Sequence, residues 1–272
     1  MHTPAWLELD GVVNMRDLGG LPTVDGGHIL PGRLIRSDNL QDLAPDSVHH
    51  LTDDLGVTDV VDLRTYVEVA KEGDGPLHAR ADVRIHHFTL YPEDSVETGI
   101  PAGERELPWV ADPHLGNAPQ DGSRASRGGH DTYWSKHYLG YLTQRPDSVV
   151  AALRAIAASP GAVIVHCAAG KDRTGTVVGL ALKLAGATDE AITADFAASA
   201  QRVPQILERL SRRPAYAVNL TDKSVEQQSP RADTMRLLLE SLETEHGGAR
   251  AWLATQGWTD EDTARLRAKL RT

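Results

Sequence analysis

One cysteine, Cys167, lies among residue types that could bind and attack a phosphate ester. Residues 166–175 read HCAAGKDRTG, so a thiol, three small residues and an arginine share one short segment. Small residues allow the backbone to wrap closely around a tetrahedral oxyanion. Arg173 adds a planar guanidinium that can bind two phosphate oxygens at once. The pattern therefore indicates a phosphate site with a thiol at its base.

The flanking residues indicate how this segment is positioned. The apolar run Ala162–Val165 predicts a strand covered on both faces, and Thr174–Ala185 predicts an apolar helix. Unpaired N–H groups and the positive end of the helix dipole meet at such a junction and bind anions. The same dipole and the Arg173 charge stabilise a thiolate at Cys167, which makes it a nucleophile. We predict in-line attack on phosphorus, a cysteinyl-phosphate intermediate and its hydrolysis.

Two alternatives account for parts of this segment. A Walker phosphate loop needs Ser or Thr after the lysine and a second glycine five positions before Gly170, where the chain has Asp172 and Val165. That interpretation fails. A lone cysteine after a buried strand is usually an inert core residue. Core packing, however, gives no reason for three consecutive charged residues, 171–173, directly after three small ones.

HCAAGKDRTG resembles the signature loop of the cysteine-dependent tyrosine phosphatases. The Lys-Asp pair before Arg173 is similar to the bacterial tyrosine/dual-specificity branch that also acts on phosphoinositides. Three further stretches resemble that branch, namely NMRDLGG at 14–20 with PGRLIRSDNL at 31–40, VVDLRTYVE at 60–68, and the helical tail from Ser229 to Leu270. The resemblance covers most of the chain, and its signature loop is the most specific part.

The resemblance assigns roles to the residues of the segment. Cys167 would be the nucleophile and Arg173 the phosphate clamp, while Thr174 would hydrogen-bond the thiolate and His166 would orient the loop. As an alternative, His166 is a buried histidine with satisfied hydrogen bonds. The phosphate would be bound by backbone N–H groups and side chains of this set: Ala168, Ala169, Gly170, Lys171 and Arg173.

The general acid has two candidates. Asp172 resembles the acid proposed for this branch, and Asp62 ends a predicted strand at the edge of the sheet where α/β sites form. Asp172 is the first choice, and Asp62 would otherwise support the loop through an ion pair with Arg64. Lys171 could recognise a second phosphate or simply be a solvated charge.

Elements that would position these residues alternate along the chain. Strands are predicted at Arg33–Arg36, Val57–Leu63, Val83–Leu90 and Ala162–His166. Helices are predicted at Pro45–Leu55, Asp131–Gln144, Thr174–Ala185, Asp189–Ser199, Arg231–Glu245, Ala249–Thr255 and Asp260–Leu270. This alternation predicts an α/β fold with a mainly parallel sheet flanked by helices, and the resemblance implies the cysteine-phosphatase fold.

We expect one phosphatase domain over residues 1–272, with a helical C-terminal part at 188–272. The stretch 92–129 carries scattered prolines and glycines without a sustained period, which predicts either a mobile lid or a variable insertion.

Composition excludes several classes of protein. The net charge of −10 argues against nucleic acid as the main partner, and one cysteine cannot form an internal disulfide or a four-cysteine zinc site. We expect no metal and no cofactor. The N-terminus resembles no secretory signal and no segment is long and apolar enough to span a bilayer. We therefore expect a cytoplasmic protein without a stable membrane anchor, although secretion without a signal peptide would leave no trace here.

These features together predict a metal-independent phosphomonoester hydrolase. Its substrate would be a phosphorylated protein, a phosphoinositide or a small phosphate ester such as a nucleotide or sugar phosphate. The main expectation is a protein tyrosine/dual-specificity phosphatase that also acts on phosphoinositides. A metabolic phosphatase is the second option. An inactive phosphate-binding module is the third, although a pure binder has no need of both Cys167 and Arg173.

Overall fold

A computed structural model describes residues 3–93, 100–111, 129–220 and 224–271 of the chain. Its strands form one six-stranded sheet in the order β1-β2-β3-β6-β4-β5. Their bounds are β1 Ala5–Trp6, β2 Arg16–Asp17, β3 Leu34–Ser37, β4 Val57–Asp62, β5 Arg84–His87 and β6 Ala162–His166. The four long strands pair in parallel, whereas β1 and β2 add an antiparallel edge. The predicted α/β class with a mainly parallel sheet is confirmed.

Helices cover both faces of this sheet and make up most of the chain after β6. They are α1 Pro45–His49, α2 Tyr66–Glu72, α3 Pro108–Ala111, α4 Gly129–Gln144, α5 Pro146–Ala158, α6 Asp172–Ala185, α7 Asp189–Ala198, α8 Val203–Ser211, α9 Ala217–Leu220, α10 Val225–Gln228, α11 Ala232–His246, α12 Ala249–Thr255 and α13 Asp260–Leu270. A π-helix, His50–Asp54, continues α1. None of the described helices is long and apolar enough to cross a lipid bilayer.

The central strand β6 is buried on both faces, as its sequence predicts. Val163 and Val165 pack into a large cluster with the C-terminal helices, while Ala162 and Ile164 pack into a second cluster on the other face. Both neighbours of β6 run parallel to it, so the carboxyl ends of β3, β4 and β6 lie together at one edge. Residues that follow these three strands are therefore brought close to Cys167.

Two predicted elements have the wrong bounds, and one long helix was not predicted. The helix after the phosphate segment begins at Asp172 and not at Thr174, because Asp172 and Arg173 already have helical conformation. The strand predicted at Val83–Leu90 is shorter, since it has only one parallel neighbour and ends at His87. The prediction also missed α5, whose apolar residues pack against α13 and β4.

The predicted lid or insertion at 92–129 lies largely outside the described residues. Among its described residues, the segment 100–111 holds a 3-10 turn at Ala102–Glu104 and then α3. The turn packs against α2. This brings Trp109 of α3 to the pocket described next.

Candidate active site

A pocket of about 140 Å³ lies at the carboxyl edge of the sheet, with Cys167 among its lining residues. Cys167 directly follows β6 and is only 2% exposed. The predicted residues Ala168, Ala169, Lys171, Asp172 and Arg173 line the same pocket. The structure thus brings the thiol, the guanidinium and the candidate acid together.

The loop after Cys167 turns its carbonyl groups away from this pocket. The carbonyl oxygen of Ala168 accepts from the N–H of Asn39 at 3.0 Å. The next two carbonyl oxygens, of Ala169 and Gly170, accept from Asn14 Nδ2 at 2.9 Å and Arg36 Nη2 at 2.8 Å. Because a trans peptide places its N–H opposite its C=O, the N–H groups that follow these carbonyls face the pocket.

Those N–H groups are available to a ligand. Within the described ranges, no N–H group from Ala168 to Arg173 donates to another protein group. The left-handed φ of +69° at Gly170 makes this turn, and a Cβ there would stand 2.3 Å from the Ser37 carbonyl oxygen. Only glycine fits this position. The loop is therefore a cradle for an anion at the N-terminus of α6.

A buried cluster of ion pairs fixes Arg36, the arginine that binds the Gly170 carbonyl of the loop. Asp195 on α7 binds Arg36 Nη1 at 2.6 Å and Arg16 Nε at 2.7 Å, and all three side chains are almost fully buried. Arg16 also donates to Asn14 Oδ1 at 2.9 Å, which orients the Asn14 amide toward Ala169. Asp195 thus supports the loop through two arginines without touching it.

Arg173 is held by a carboxylate that sequence analysis did not single out. Its Nη1 and Nη2 donate to the two oxygens of Glu68 on α2 at 2.5 and 2.8 Å. Burial opposes charge on both partners. Nevertheless, Glu68 raises the pKa of Arg173 above its ordinary value, and Arg173 lowers the pKa of Glu68. The pair is ionised, and the guanidinium is oriented before any substrate binds.

A sequence signal for Glu68 exists. Thr65 and Glu68 form a capping box, in which the Glu68 carboxylate accepts the Thr65 N–H at 2.7 Å and Thr65 Oγ1 accepts the Glu68 N–H at 3.0 Å. The pattern Thr-x-x-Glu after a predicted strand would have located this helix start. It would not have shown that the glutamate also faces Arg173, since that contact joins residues 105 positions apart.

Asp172 lies beside Arg173 with its side chain 21% exposed. The hydroxyl of Tyr138 on α4 donates to its Oδ1 at 2.5 Å, and Lys171 Nζ stands 3.3 Å from its Oδ2. Asp172 can therefore reach a ligand in the pocket while one of its oxygens is held from the protein side.

Lys171 lines the pocket but is not a free charge on its rim. Its Nζ donates to the carbonyl oxygen of Gln228 at 2.8 Å and to Gln228 Oε1 at 3.2 Å. It also lies 5.5 Å from the ring centre of Trp134. The side chain is 6% exposed, so the expectation of a solvated charge is wrong.

The other candidate acid, Asp62, lies outside the pocket and is paired with Arg64. Its two oxygens accept from Arg64 Nε and Nη2 at 2.6 to 3.0 Å, and it does not line the pocket. Burial would raise the pKa of Asp62, but His166 and Arg64 together lower it below the ordinary range. This geometry matches the supporting role considered for Asp62.

His166 and Thr174 flank the loop below the pocket. Burial lowers the pKa of His166 to about 4, so its imidazole is neutral, and Nδ1 donates to the Cys167 carbonyl oxygen at 3.2 Å. Thr174 is fully buried, and its Oγ1 has no hydrogen-bond partner within the part of the chain that is described. The bond from Thr174 to a thiolate stays a prediction.

The walls of the pocket differ in chemistry. One wall is aromatic and consists of Tyr91, Trp109, Trp134, His137 and Tyr141. A second group of lining residues is mainly aliphatic and consists of Val203, Ile206, Leu207 and Leu210 of α8 with Leu220 and Tyr216. The Arg173 guanidinium lies 5.5 Å from the ring centre of Trp109. An anion-binding floor beside apolar lining residues suits an ester whose phosphate carries an apolar group.

No cluster of three or more histidine, cysteine, aspartate or glutamate side chains that could hold a metal occurs among the described residues. The expectation of a metal-independent site stays a prediction.

Comparison with known sequences gives a family match over nearly the whole chain. The sequence profile of a family described as the tyrosine phosphatase family matches residues 7–272. The triple specificity protein phosphatase PtpB of Mycobacterium tuberculosis is 31% identical over 205 residues, which cover 75% of this chain and 72% of PtpB. A tyrosine-protein phosphatase of Nostoc commune is 31% identical over 129 residues, which cover 43% of this chain and 42% of that protein.

Proposed function

The chain belongs to the tyrosine phosphatase family, and we propose that Cys167, Arg173 and Asp172 carry its hydrolysis of phosphate monoesters. Membership of this family makes the protein a phosphoric monoester hydrolase of the tyrosine/dual-specificity type, whose substrates are phosphorylated. The roles of individual residues and the preferred substrate are argued from the pocket.

In the proposed reaction the Cys167 thiolate attacks phosphorus as the ester P–O bond breaks. The leaving oxygen takes the bonding electron pair and a proton from the Asp172 carboxyl group. Water then attacks the cysteinyl phosphate, gives a proton to the Asp172 carboxylate, and releases phosphate and the thiolate. Arg173 and the loop N–H groups bind the equatorial oxygens, where charge develops in each transition state.

Phosphotyrosine is the substrate that the pocket favours. A cavity of about 150 Å³ is enough to hold one benzene ring, and the pocket here measures about 140 Å³. Pockets for larger ligands usually measure about 300 to 1,000 Å³. The aromatic and aliphatic side chains of the pocket offer contacts to the faces of a ring. This match of size and chemistry carries the proposal.

A substrate panel tests it directly. We would measure kcat/KM for a phosphotyrosine peptide, the matched phosphoserine peptide, a phosphoinositide and a nucleotide monophosphate, each with and without EDTA. We expect the phosphotyrosine peptide to give the highest value. A higher value for the nucleotide would instead support a metabolic phosphatase, and loss of all turnover in EDTA would contradict the metal-independent reaction.

Cys167→Ser tests the nucleophile in the same panel. The hydroxyl of serine is a much poorer nucleophile, so we expect no measurable turnover with phosphopeptide binding retained. If the wild-type protein binds phosphopeptide but turns over none of the panel, either with or without EDTA, it is a phosphate-binding module.

A phosphoinositide is a second substrate that one observation favours. Lys171 brings an additional cation to the pocket, next to the loop that binds the first phosphate. The relative named a triple specificity phosphatase supports an activity broader than phosphotyrosine. Because Gln228 binds Lys171 Nζ, a second phosphate would have to replace the Gln228 oxygens as the partner of that cation.

A further inference from the structure

The hydroxyl of Tyr138 makes the closest polar contact of the candidate acid. It donates to Asp172 Oδ1 at 2.5 Å, whereas the Lys171 ammonium stands 3.3 Å from Oδ2 and is shared with two oxygens of Gln228. Tyr138 therefore sets the orientation of this carboxyl group more than Lys171 does.

Tyr138 is itself buried among aromatic rings. It is 2% exposed on α4, with its ring 5.9 Å from that of Phe196 and 6.0 Å from those of Trp134 and Tyr141. Burial, and then the facing Asp172 carboxylate, raise the pKa of Tyr138 well above its ordinary value. The phenol thus keeps its proton and acts as a hydrogen-bond donor.

We propose that Tyr138 is a positioning residue that determines which oxygen of Asp172 delivers the proton to the leaving group. The inference rests on the proposed role of Asp172 as general acid. Oδ1 accepts the Tyr138 hydrogen, so it is the carbonyl oxygen of the protonated carboxyl group, and the acidic hydrogen resides on Oδ2. That hydrogen passes to the ester oxygen as its bond to phosphorus breaks. In the second step Oδ2 takes a proton from the attacking water.

Leaving-group dependence separates this role from simple packing. A positioned general acid matters most when the leaving oxygen is a strong base. Loss of the correct position of Asp172 should therefore slow the hydrolysis of phenyl phosphate more than that of 4-nitrophenyl phosphate. For Tyr138→Phe we expect kcat for phenyl phosphate to fall about 10-fold, as loss of one hydrogen bond to a charged group implies. The fall for 4-nitrophenyl phosphate should be smaller, and KM should change little for either ester.

Tyr133→Phe is the matched control. Tyr133 is a tyrosine of the same helix that does not line the pocket, and its ring lies 5.5 Å from that of Trp134 and 6.4 Å from that of His137. We expect it to keep the wild-type ratio of the two kcat values. If it changes this ratio as much as Tyr138→Phe does, the effect comes from packing of α4 and the proposal is overturned.

A double-mutant cycle with Asp172→Asn completes the test. We expect Tyr138→Phe to have no further effect on the ratio of kcat for the two esters once Asp172 is replaced. Additive effects would overturn the proposal, because Tyr138 would then act independently of Asp172. An Asp172→Asn variant with the wild-type ratio would also overturn it. A wild-type protein that hydrolyses neither ester would instead refute the phosphatase reaction itself.

Near-UV circular dichroism checks that each variant is folded. If Tyr138→Phe does not fold, Tyr138→Met removes the same hydroxyl and fills the space with a flexible apolar side chain. The same ratios then decide the outcome.

Discussion

Glu68 and Arg173 form a buried, two-point ion pair that orients the proposed phosphate clamp, Arg173, in the absence of substrate. The carboxylate is itself held by the Thr65 N–H at the start of α2, so its position depends on a helix end and not on a mobile side chain. The Nε atom of Arg173 forms no hydrogen bond within the described residues, which leaves it for a phosphate oxygen.

Replacement of Glu68 should therefore impair both stability and turnover. Glu68→Gln removes the charge opposite buried Arg173, and loss of one partner of a buried pair typically costs about 3 to 5 kcal/mol. We expect a lower free energy of unfolding in urea and, in the folded fraction, kcat/KM about 100-fold lower because the clamp is misplaced.

Glu72→Gln is the control for this variant. Glu72 lies on the same helix with its side chain buried, and it contacts the Ala215 N–H and Arg213 and not Arg173. It should lower stability with far less effect on kcat/KM of the folded protein. Equal effects of the two variants on kcat/KM would contradict the clamp relationship.

Gly170→Ala should distort the anion cradle. A Cβ at this left-handed position would meet the backbone of Ser37 at 2.3 Å, so the loop must move. We expect turnover to fall at least about 100-fold, measured together with the affinity for inorganic phosphate. Gly32 is the control, because it has a similar φ of +66° but no atom lies within 4 Å of a Cβ added there. Gly32→Ala should lower the free energy of unfolding only by the backbone strain of about 1 to 3 kcal/mol.

Lys171→Met should separate the two substrate classes. Methionine has a similar length but loses the cation, and with it the contact between the ammonium and the Trp134 ring. We expect kcat/KM for a phosphoinositide with several phosphates to fall at least about 10-fold more than for a phosphotyrosine peptide. A further drop of that size corresponds to about 1.4 kcal/mol of lost binding to the second phosphate. Equal losses on both substrates would exclude a second-phosphate role for Lys171.

Stability should decrease on mild acidification. Burial lowers the pKa values of His166 and His137 from 6.5 to about 4. Between these values the unfolded chain binds protons at both positions while the folded chain does not, so the free energy of unfolding falls as the pH falls. Each histidine contributes at most about 3 kcal/mol to this loss.

Urea unfolding at pH 7, 6 and 5 measures this effect. His166→Asn should give a shallower dependence on pH than the wild-type protein. The control His49→Gln, which replaces a histidine with its side chain 68% exposed, should leave the dependence unchanged. A wild-type protein equally stable at pH 7 and pH 5 would contradict the expectation.

The conformation of the loop at 167–171 and the central strand could be predicted from sequence because their signals are local. Apolar β-branched residues at 162–165 and the small residues before Arg173 specify a strand, a tight loop and a helix start within one short segment. The α/β class followed from the same kind of local pattern in the other strands.

The residues that support the loop could not be assigned a role in the same way. Glu68 and Tyr138 reach the site from other elements, and their contacts to Arg173 and Asp172 exist only after those elements pack. In sequence, Tyr138 is simply an apolar position of a helix. Nor could the contact between Lys171 and Gln228 be foreseen, since 57 positions separate them and Gln228 lies on a separate short helix.

The outward-facing carbonyls of the loop have a consequence for the order in which the protein gains structure. Asn14 and Arg36 bind Ala169 and Gly170 across 155 and 134 positions, so closing these contacts carries the entropic cost of very long loops. Contacts this distant in sequence tend to form slowly in folding. During refolding, activity should therefore return together with the final tertiary structure, after helical content has recovered.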